Sequence, residues 1–176
     1  ACSTTHVTSS WKDPSAAQAN LQKVLVVAMV PQETVRRNLE QEMVARLQQR
    51  GVQAVPSNQF IQEGSSITRD GVKQVVENNG FDAVLVTQYL GTQRELEYYP
   101  GTYYDYFGYY SPMVYDSGYV RETTTVKLES RLFDAKEGGR LLWSAATSTV
   151  DPSSAEKAIP TVAQKIVEKL EKDVRI

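Results

Sequence analysis

The chain has 176 residues, of which 41% are hydrophobic and 23% are charged, and its formal net charge is −2. These values are typical of a single globular domain, which at this length buries enough apolar surface to be stable without cross-links. The lysines and arginines are scattered and form no basic stripe, so the sequence argues against nucleic-acid binding. No apolar run is long enough to be a membrane-spanning helix.

The single cysteine is Cys2, which follows Ala1 and precedes Ser3. A mature bacterial lipoprotein begins at a lipid-modified cysteine, usually after a small residue at the signal-peptide cleavage point, so Cys2 is interpreted as a lipid attachment site. The alternative is a cysteine that stands near the start of the chain by chance. By resemblance to Gram-negative lipoproteins, Ser3 in place of an aspartate favours delivery to the outer membrane. There, acyl chains such as palmitate would anchor the protein on the periplasmic side without spanning the bilayer.

Residues 1–20 are mostly small and polar and are expected to form the tether of this anchor. Within them, Thr4 to Trp11 is rich in Thr and Val and could form a short edge strand. Trp11 itself is expected to fill a gap in the core. The rest of the chain, residues 21–176, is predicted to be one domain.

A strand, a helix and a second strand are predicted between Lys23 and Val55. Residues 23–30 are apolar on both faces, as in a strand whose sheet is covered on both sides. Pro31 suits the first turn of the following helix, and Gly51 suits its left-handed C-cap. Two strands joined by such a helix should be parallel.

The first predicted helix carries one apolar stripe, whose side chains recur every four residues. They are Val35, Leu39, Met43 and Leu47. The polar side chains expected to lie away from this stripe are Arg36, Arg37, Glu40 and Gln48.

A second helix is predicted over residues 69–78, with Thr68 as its N-cap and Gly80 at its end. The third strand follows at residues 82–90 and could continue toward Tyr99. Residues 119–133 then alternate with period two, and residues 140–150 return after a short turn. These two segments are predicted to be an antiparallel hairpin with one face toward water.

The C-terminal helix has the clearest amphipathic pattern in the chain. Ser153 and Glu156 are spaced as a capping box at its start, and Pro160 is expected to kink it. The order β-α-β-α-β, followed by a hairpin and a helix, predicts an α/β domain with a mixed sheet. The first three strands should be parallel, and the helices should pack on the sheet in a two-layer or three-layer sandwich.

Sites for nucleotides, metals and catalysis are each disfavoured by the residues present. The turn before the first helix holds Pro31 and Glu33 and no glycine, so it suits neither the close approach nor the charge of a phosphate. The one histidine, His6, lies in the predicted tether, which leaves no His/Cys zinc site and no base for a serine triad. We therefore predict no cofactor and no enzymatic activity, with paired carboxylates as the remaining catalytic alternative.

Four aspartates are interpreted by their position. Asp82 begins a parallel strand, which is the wrong end for an active site, and Asp134 begins a hairpin turn, so both are expected to bond to turns. Asp105 and Asp116 leave open a carboxylate site for calcium, although their spacing is not that of an EF-hand.

Nine of the ten tyrosines lie in the segment 98–119, which glycines and prolines interrupt. A loop of this length is uncommon unless it is functional or disordered, and disordered segments are poor in aromatic residues. The rings could pack on the sheet as a lid, bind a protein or a second copy, stack on sugars, or contact a membrane. The candidate binding residues are Tyr98, Tyr99, Tyr103, Tyr104, Tyr106, Phe107, Tyr109, Tyr110 and Tyr115.

The chain as a whole resembles a group of uncharacterised envelope lipoproteins of Gram-negative bacteria. The matching pieces are the start at Cys2, residues 10–14, 23–27 and 80–86, the tyrosine-rich insert, and residues 131–134 before 142–144. Similar α/β domains occur in lipoproteins that assist secretion, cell-wall synthesis or transport assemblies. The resemblance therefore implies an accessory or assembly factor that binds a protein partner in the periplasm, with a homo-oligomer as one form of partnership. The alternative is a module that binds peptidoglycan or lipopolysaccharide through the tyrosine-rich segment.

Overall fold

The computed structural model describes residues 4–19, 21–62, 64–99, 119–136, 139–174 and 176. Six strands form one sheet: β1 Thr4–Lys12, β2 Lys23–Met29, β3 Gln53–Pro56, β4 Ala83–Tyr99, β5 Tyr119–Asp134 and β6 Leu141–Val150. The three α-helices are α1 Glu33–Gln48, α2 Arg69–Asn79 and α3 Ala155–Val174. Among the described residues, no helix has the length and apolarity required to cross a bilayer.

The sheet is mixed, in the order β1-β6-β5-β4-β2-β3. Strands β3 and β4 flank β2 and run parallel to it, while β5 is antiparallel to both β4 and β6. The predicted α/β class, the parallel first three strands and the antiparallel hairpin are therefore confirmed. Parallel pairing follows from the helical crossovers, because a connection through a helix returns the chain in its original direction.

Three layers are built over the parallel half of the sheet. On one face, α1 and α3 enclose the larger core, in which Leu47, Leu132 and Ile166 are fully buried. On the other face, α2 packs on β2 and β4 through a smaller cluster that contains Leu25 and Val76. Buried residues therefore alternate between the two faces along β2, which explains why its sequence is apolar at every position.

The ends of the helices confirm most of the predicted caps. The Thr68 hydroxyl accepts a hydrogen bond from the Gly71 backbone at 3.1 Å, and Gly80 ends α2 with a φ of 65°. Gly51 has the predicted left-handed φ, 80°, but it lies two residues beyond Gln49, which is the C-cap of α1. The prediction for Pro31 is wrong, because α1 begins at Glu33 and Pro31 lies in the turn before it.

The start of α3 also differs from the prediction. The side chain of Ser154, rather than that of Ser153, accepts the capping hydrogen bond, from the backbone of Lys157 at 3.2 Å. The helix then includes Pro160 without ending there. Pro160 is the sixth residue of α3, beyond the first turn, so it cannot donate the usual helical hydrogen bond to the Glu156 carbonyl.

The two tryptophans lie in opposite environments. Trp11, which was expected in the core, is 48% exposed. Trp11 pairs with Ser144 of β6, and both side chains lie on the face of the sheet that α3 does not cover. Trp143, which precedes Ser144 in β6, points to the other face and is completely buried. Strand alternation decides the outcome, since neighbouring residues point to opposite faces. The Trp143 ring nitrogen donates to the Asp173 carboxylate of α3 at 2.9 Å.

The N-terminal residues 4–12 form β1 at the edge of the sheet, where they pair with β6. A short 3₁₀ helix follows at Ala16–Gln18, in which Ala16 is fully buried. The edge strand that the sequence allowed from Thr4 to Trp11 is therefore present, as β1. Cys2 lies outside the described residues.

Candidate functional site

An apolar cleft lies beside the carboxyl end of β2, next to the middle of β4 just after its pairing with β2 ends. Its volume is about 320 Å³. Aliphatic side chains from three elements line most of its wall, namely Val35 and Leu39 of α1, Val126 and Leu128 of β5, and Ile159 and Val162 of α3. The position is one at which α/β sheets commonly bind ligands, and most of the lining is aliphatic.

The hydroxyl groups that line the cleft each have a hydrogen-bond partner. The Tyr89 hydroxyl shares a hydrogen bond with the Thr92 hydroxyl at 2.5 Å, and the Thr149 hydroxyl shares one with the Thr5 hydroxyl at 3.0 Å. Among the described residues that line the cleft, none is Asp, Glu, His, Lys, Arg or Cys. The lining therefore supplies no group that titrates near neutral pH or that would attack a substrate.

The rim of the cleft is fixed by an unusual corner at Asp151. This residue has a φ of 46°, in the left-handed region. Its N–H donates to the Thr124 carbonyl at 2.7 Å, and its carboxylate accepts from the Thr124 N–H at 2.8 Å. The two bonds extend the pairing of β6 with β5 by one step and hold Pro152 at the cleft wall.

The hairpin of β4 and β5 continues beyond the rest of the sheet as an extension that we call the arm, residues 94–99 and 119–124. Leu96 is 71% exposed, Tyr98 65%, Tyr119 64% and Val120 58%. Exposed apolar side chains this close together are typical of a contact surface. A two-stranded ribbon is also only marginally stable by itself.

The face of the arm that carries Leu96, Tyr98 and Val120, which we call its apolar face, lies on the same side of the sheet as the cleft. Tyr98 lies opposite Val120, and Leu96 lies on the same face two residues earlier. The same alternation leads back to Thr92 and Val126, which face each other in the register and line the cleft. The cleft and the apolar face of the arm therefore share one side of the sheet, with Arg94 and Thr124 between them.

A buried ion pair that the sequence analysis missed lies on α1. Arg36 and Glu40 were expected away from the apolar stripe, but they are 3% and 0% exposed. The Glu40 carboxylate accepts hydrogen bonds from the Ala28 N–H at 3.0 Å, the Ser57 hydroxyl at 2.5 Å and the Asn58 N–H at 3.2 Å. Its distance from the Arg36 Nε is 3.5 Å.

The reason for this burial is the shortness of β3. Pairing between β2 and β3 ends at Val26 and Pro56, so the Ala28 N–H lies beyond the reach of β3. Glu40 replaces the missing strand as acceptor, and Arg36 balances its charge while donating to Ser57 at 3.2 Å. A buried N–H requires such a partner. The pair joins α1, β2 and the turn after β3, which is a structural role.

Asp82 also has the structural role expected of it. Its carboxylate accepts from the Lys23 N–H at 2.9 Å and lies 2.9 Å from the Lys136 ammonium. Partial burial raises the pKa of Asp82, but the hydrogen bond from Lys136, the Lys23 N–H and the charge of Lys136 outweigh it, so this pKa lies below its ordinary value. Asp134 accepts from the Lys136 N–H at 2.8 Å, as a turn aspartate does.

The remaining candidates fall partly outside the described residues. Within the described part of the chain, no three His, Cys, Asp or Glu side chains are grouped to hold a metal ion. The calcium candidates Asp105 and Asp116 are not among the described residues, and neither are the binding candidates Tyr103, Tyr104, Tyr106, Phe107, Tyr109, Tyr110 and Tyr115. Tyr98 and Tyr99 lie in the arm, at the end of β4.

No protein-family model matches the chain, and no curated protein sequence matches it. Among solved structures, the chain is similar to PelC from Paraburkholderia phytofirmans, a dodecamer, with a TM-score of 0.51. That alignment covers 94% of this chain and 96% of PelC at 12% identity. At this identity, the similarity is one of fold alone.

Two further structures of lower similarity are bacterial lipoproteins. Lipoprotein GNA1162 from Neisseria meningitidis aligns over 85% of this chain and 98% of its own, at 18% identity and a TM-score of 0.48. A minor lipoprotein from Acinetobacter baumannii aligns over 87% of this chain and 92% of its own, at 13% identity and a TM-score of 0.34.

Proposed function

We propose that this chain is a lipid-anchored protein of the Gram-negative envelope that binds a protein partner and catalyses no reaction. The observation that carries the proposal is the cleft. It occupies the position of an α/β ligand site, yet its wall is aliphatic and its hydroxyls are paired with one another. Such a wall favours apolar side chains of a partner over a polar substrate.

The buried and bonded carboxylates support a non-enzymatic role. Glu40 and Asp82 are each tied to backbone N–H groups and to a cation. Two carboxylates that cooperate in catalysis would share a cleft with room for a substrate, whereas these two hold strand ends in place. The paired-carboxylate alternative has no support from them.

The anchor is the second part of the proposal. Cys2 would carry the acyl chains and hold the protein on the periplasmic side of the outer membrane. The partner would be an envelope protein or a second copy of this chain. Self-association belongs in the proposal because PelC, whose fold is similar, is a dodecamer.

Photo-crosslinking in living cells tests the proposed binding surface. A photoreactive phenylalanine analogue in place of Thr92, which is exposed at the cleft, is expected to trap one discrete adduct in envelope preparations. The same analogue at Lys73, whose side chain is 69% exposed on α2, should trap none. Adding Val126→Glu puts a charge in the cleft wall and should abolish the adduct from position 92, because an unpaired charge is costly in an apolar contact. Adducts of equal yield at both positions would contradict the proposal.

The glycan alternative is tested separately by sedimentation with purified cell-wall sacculi. The protein-partner proposal predicts that the chain stays in the supernatant. Co-sedimentation that is lost on removing residues 100–117 would favour the glycan module instead, since stacked aromatic rings would then be the ligand contact.

A further inference from the structure

The pairing register shows that the start of β1 and the base of the arm lie side by side. Thr4 pairs with Val150, Val150 pairs with Thr125, and Thr125 pairs with Gln93. These four residues form one row across the sheet. The chain therefore enters the fold at the same end from which the arm projects.

The segment that leads to Cys2 is very short. Because β1 begins at Thr4, only two residue steps separate Cys2 from the sheet, which span at most about 7 Å. A lipid on Cys2 would hold this row of the sheet close to the leaflet, without a flexible linker that could reorient the domain.

The arm reaches past this row on the side of the anchor. Six residue pairs, from Arg94 with Thr124 to Tyr99 with Tyr119, follow Gln93 and Thr125 in the register. At the rise of a strand, they extend about 20 Å. With Cys2 within about 7 Å of Thr4, the arm is long enough to reach the leaflet to which Cys2 is attached.

The composition of the arm suits the interface between water and lipid. One face carries Leu96, Tyr98 and Val120, and the two charges on that face, Arg94 and Glu122, form an ion pair of 3.8 Å. The opposite face carries the charged residues Glu95, Glu97 and Arg121 and also the exposed Tyr119, by the alternation of the same register. Tyrosine is enriched at membrane interfaces, and an amphipathic element binds there with its apolar face toward the acyl chains.

We propose that the arm lies in the interface of the leaflet that holds the Cys2 lipid, with Leu96, Tyr98 and Val120 toward the acyl chains. It is a second membrane contact, which fixes the orientation of the domain and places the cleft next to the membrane. The proposal rests on the anchor proposed above. A two-stranded ribbon has unpaired edges and does not cross a bilayer, so the contact is interfacial.

The charge of the arm indicates which lipid to use in a test. Residues 94–99 and 119–124 contain two arginines and three glutamates, a net charge of −1. Anionic lipid would therefore add no attraction, and binding should depend on apolar burial. Vesicles of zwitterionic phosphatidylcholine are the appropriate probe.

The test couples the thiol of Cys2 in the full chain to a maleimide lipid in such vesicles. Tyr98→Trp places a fluorescent indole on the apolar face of the arm, and Lys73→Trp places one on exposed α2. Brominated acyl chains quench an indole that contacts them. We expect Tyr98→Trp to lose roughly half of its added emission in brominated vesicles, because the apolar face of an interfacial element is buried about 5–10 Å into the boundary between headgroups and acyl chains. Lys73→Trp should lose none, and both variants share the native tryptophans.

Adding Leu96→Glu and Val120→Glu to the Tyr98→Trp chain should remove the quenching. Both side chains are more than half exposed, so circular dichroism should show an unchanged fold. Equal emission of Tyr98→Trp in brominated and plain vesicles would overturn the proposal, as would quenching that survives the two glutamates. The vesicles contain no other protein, so this experiment tests only the contact of the arm with lipid. A negative result would therefore leave the cross-linking test of the cleft unaffected. A free Cys2 thiol in cells would refute the anchor independently.

Discussion

Replacement of Glu40 by alanine is expected to lower the free energy of unfolding by about 3–5 kcal/mol, the usual cost of breaking a buried ion pair. The change removes the acceptor of the Ala28 and Asn58 N–H groups and of the Ser57 hydroxyl. It also leaves the guanidinium of Arg36 with the partly exposed Glu33, 3.2 Å away, as its remaining carboxylate. Urea unfolding followed by circular dichroism measures the loss.

Glu42 provides the matched control on the same helix. Its side chain is 40% exposed and lies 3.6 Å from Arg46, so Glu42→Ala should cost less than about 1 kcal/mol, as surface pairs do. Glu40→Gln retains the size of the side chain and should lie between the two. Equal losses for Glu40→Ala and Glu42→Ala would show that the buried pair is not a structural element.

Replacement of Trp143 by alanine should also destabilise the fold strongly, by about 3–5 kcal/mol, because it leaves a large cavity under α3. Trp143 is completely buried, and its ring nitrogen bonds to Asp173. Trp143→Phe fills most of the space but cannot donate a hydrogen bond to Asp173. The Asp173 carboxylate keeps its ion pair with Lys169, at 3.2 Å. The expected cost of Trp143→Phe is therefore smaller, about 1–3 kcal/mol. The midpoints of thermal unfolding should fall in the order wild type, Trp143→Phe, Trp143→Ala.

Trp11 is the control for the other tryptophan. It is 48% exposed on the open face of β1, so Trp11→Ala should change the free energy of unfolding by no more than about 0.5 kcal/mol, as is usual at the surface. A loss at Trp11 as large as that at Trp143 would mean that the open face of the sheet is covered in solution.

The local patterns of the sequence were sufficient to predict the helices, the strands and the hairpin. Thr68 and Gly80 mark the ends of α2 because capping depends on a few adjacent residues. Alternation likewise identified β5, since the two faces of a strand meet different surroundings. The mixed α/β sheet follows from the order of these elements.

Features that depend on distant parts of the chain were missed. Glu40 is polar and lies off the apolar stripe, and its burial results from the length of β3, which ends before it can pair with Ala28. The exposure of Trp11 depends on its register with β6. A signal for Glu40 was present in the sequence, because Arg36 precedes it by one helical turn and could compensate its charge.

The candidate site was predictable only in part. The tyrosine-rich segment was apparent from composition, and the extension of β4 toward Tyr99 is confirmed. The cleft was not predicted, because α1, α3 and β5 meet there only in the folded chain. The adjacency of Thr4 and the arm also requires the register, which brings together residues about ninety positions apart.

This adjacency connects the two proposals. An anchor two residues before Thr4 leaves the domain little freedom to turn, so the partner would be met next to the membrane. The cleft would then be open to a partner beside the membrane, while the apolar face of the arm contacts the leaflet.

The lipid on Cys2 is the claim on which this arrangement depends most directly. The measurement is the intact mass of the protein made from its complete gene in a Gram-negative host and extracted from membranes with detergent. The account predicts a chain that begins at Cys2 and carries the added mass of a diacylglyceryl group and an amide-linked fatty acid. A soluble chain with an unmodified Cys2 thiol would contradict it.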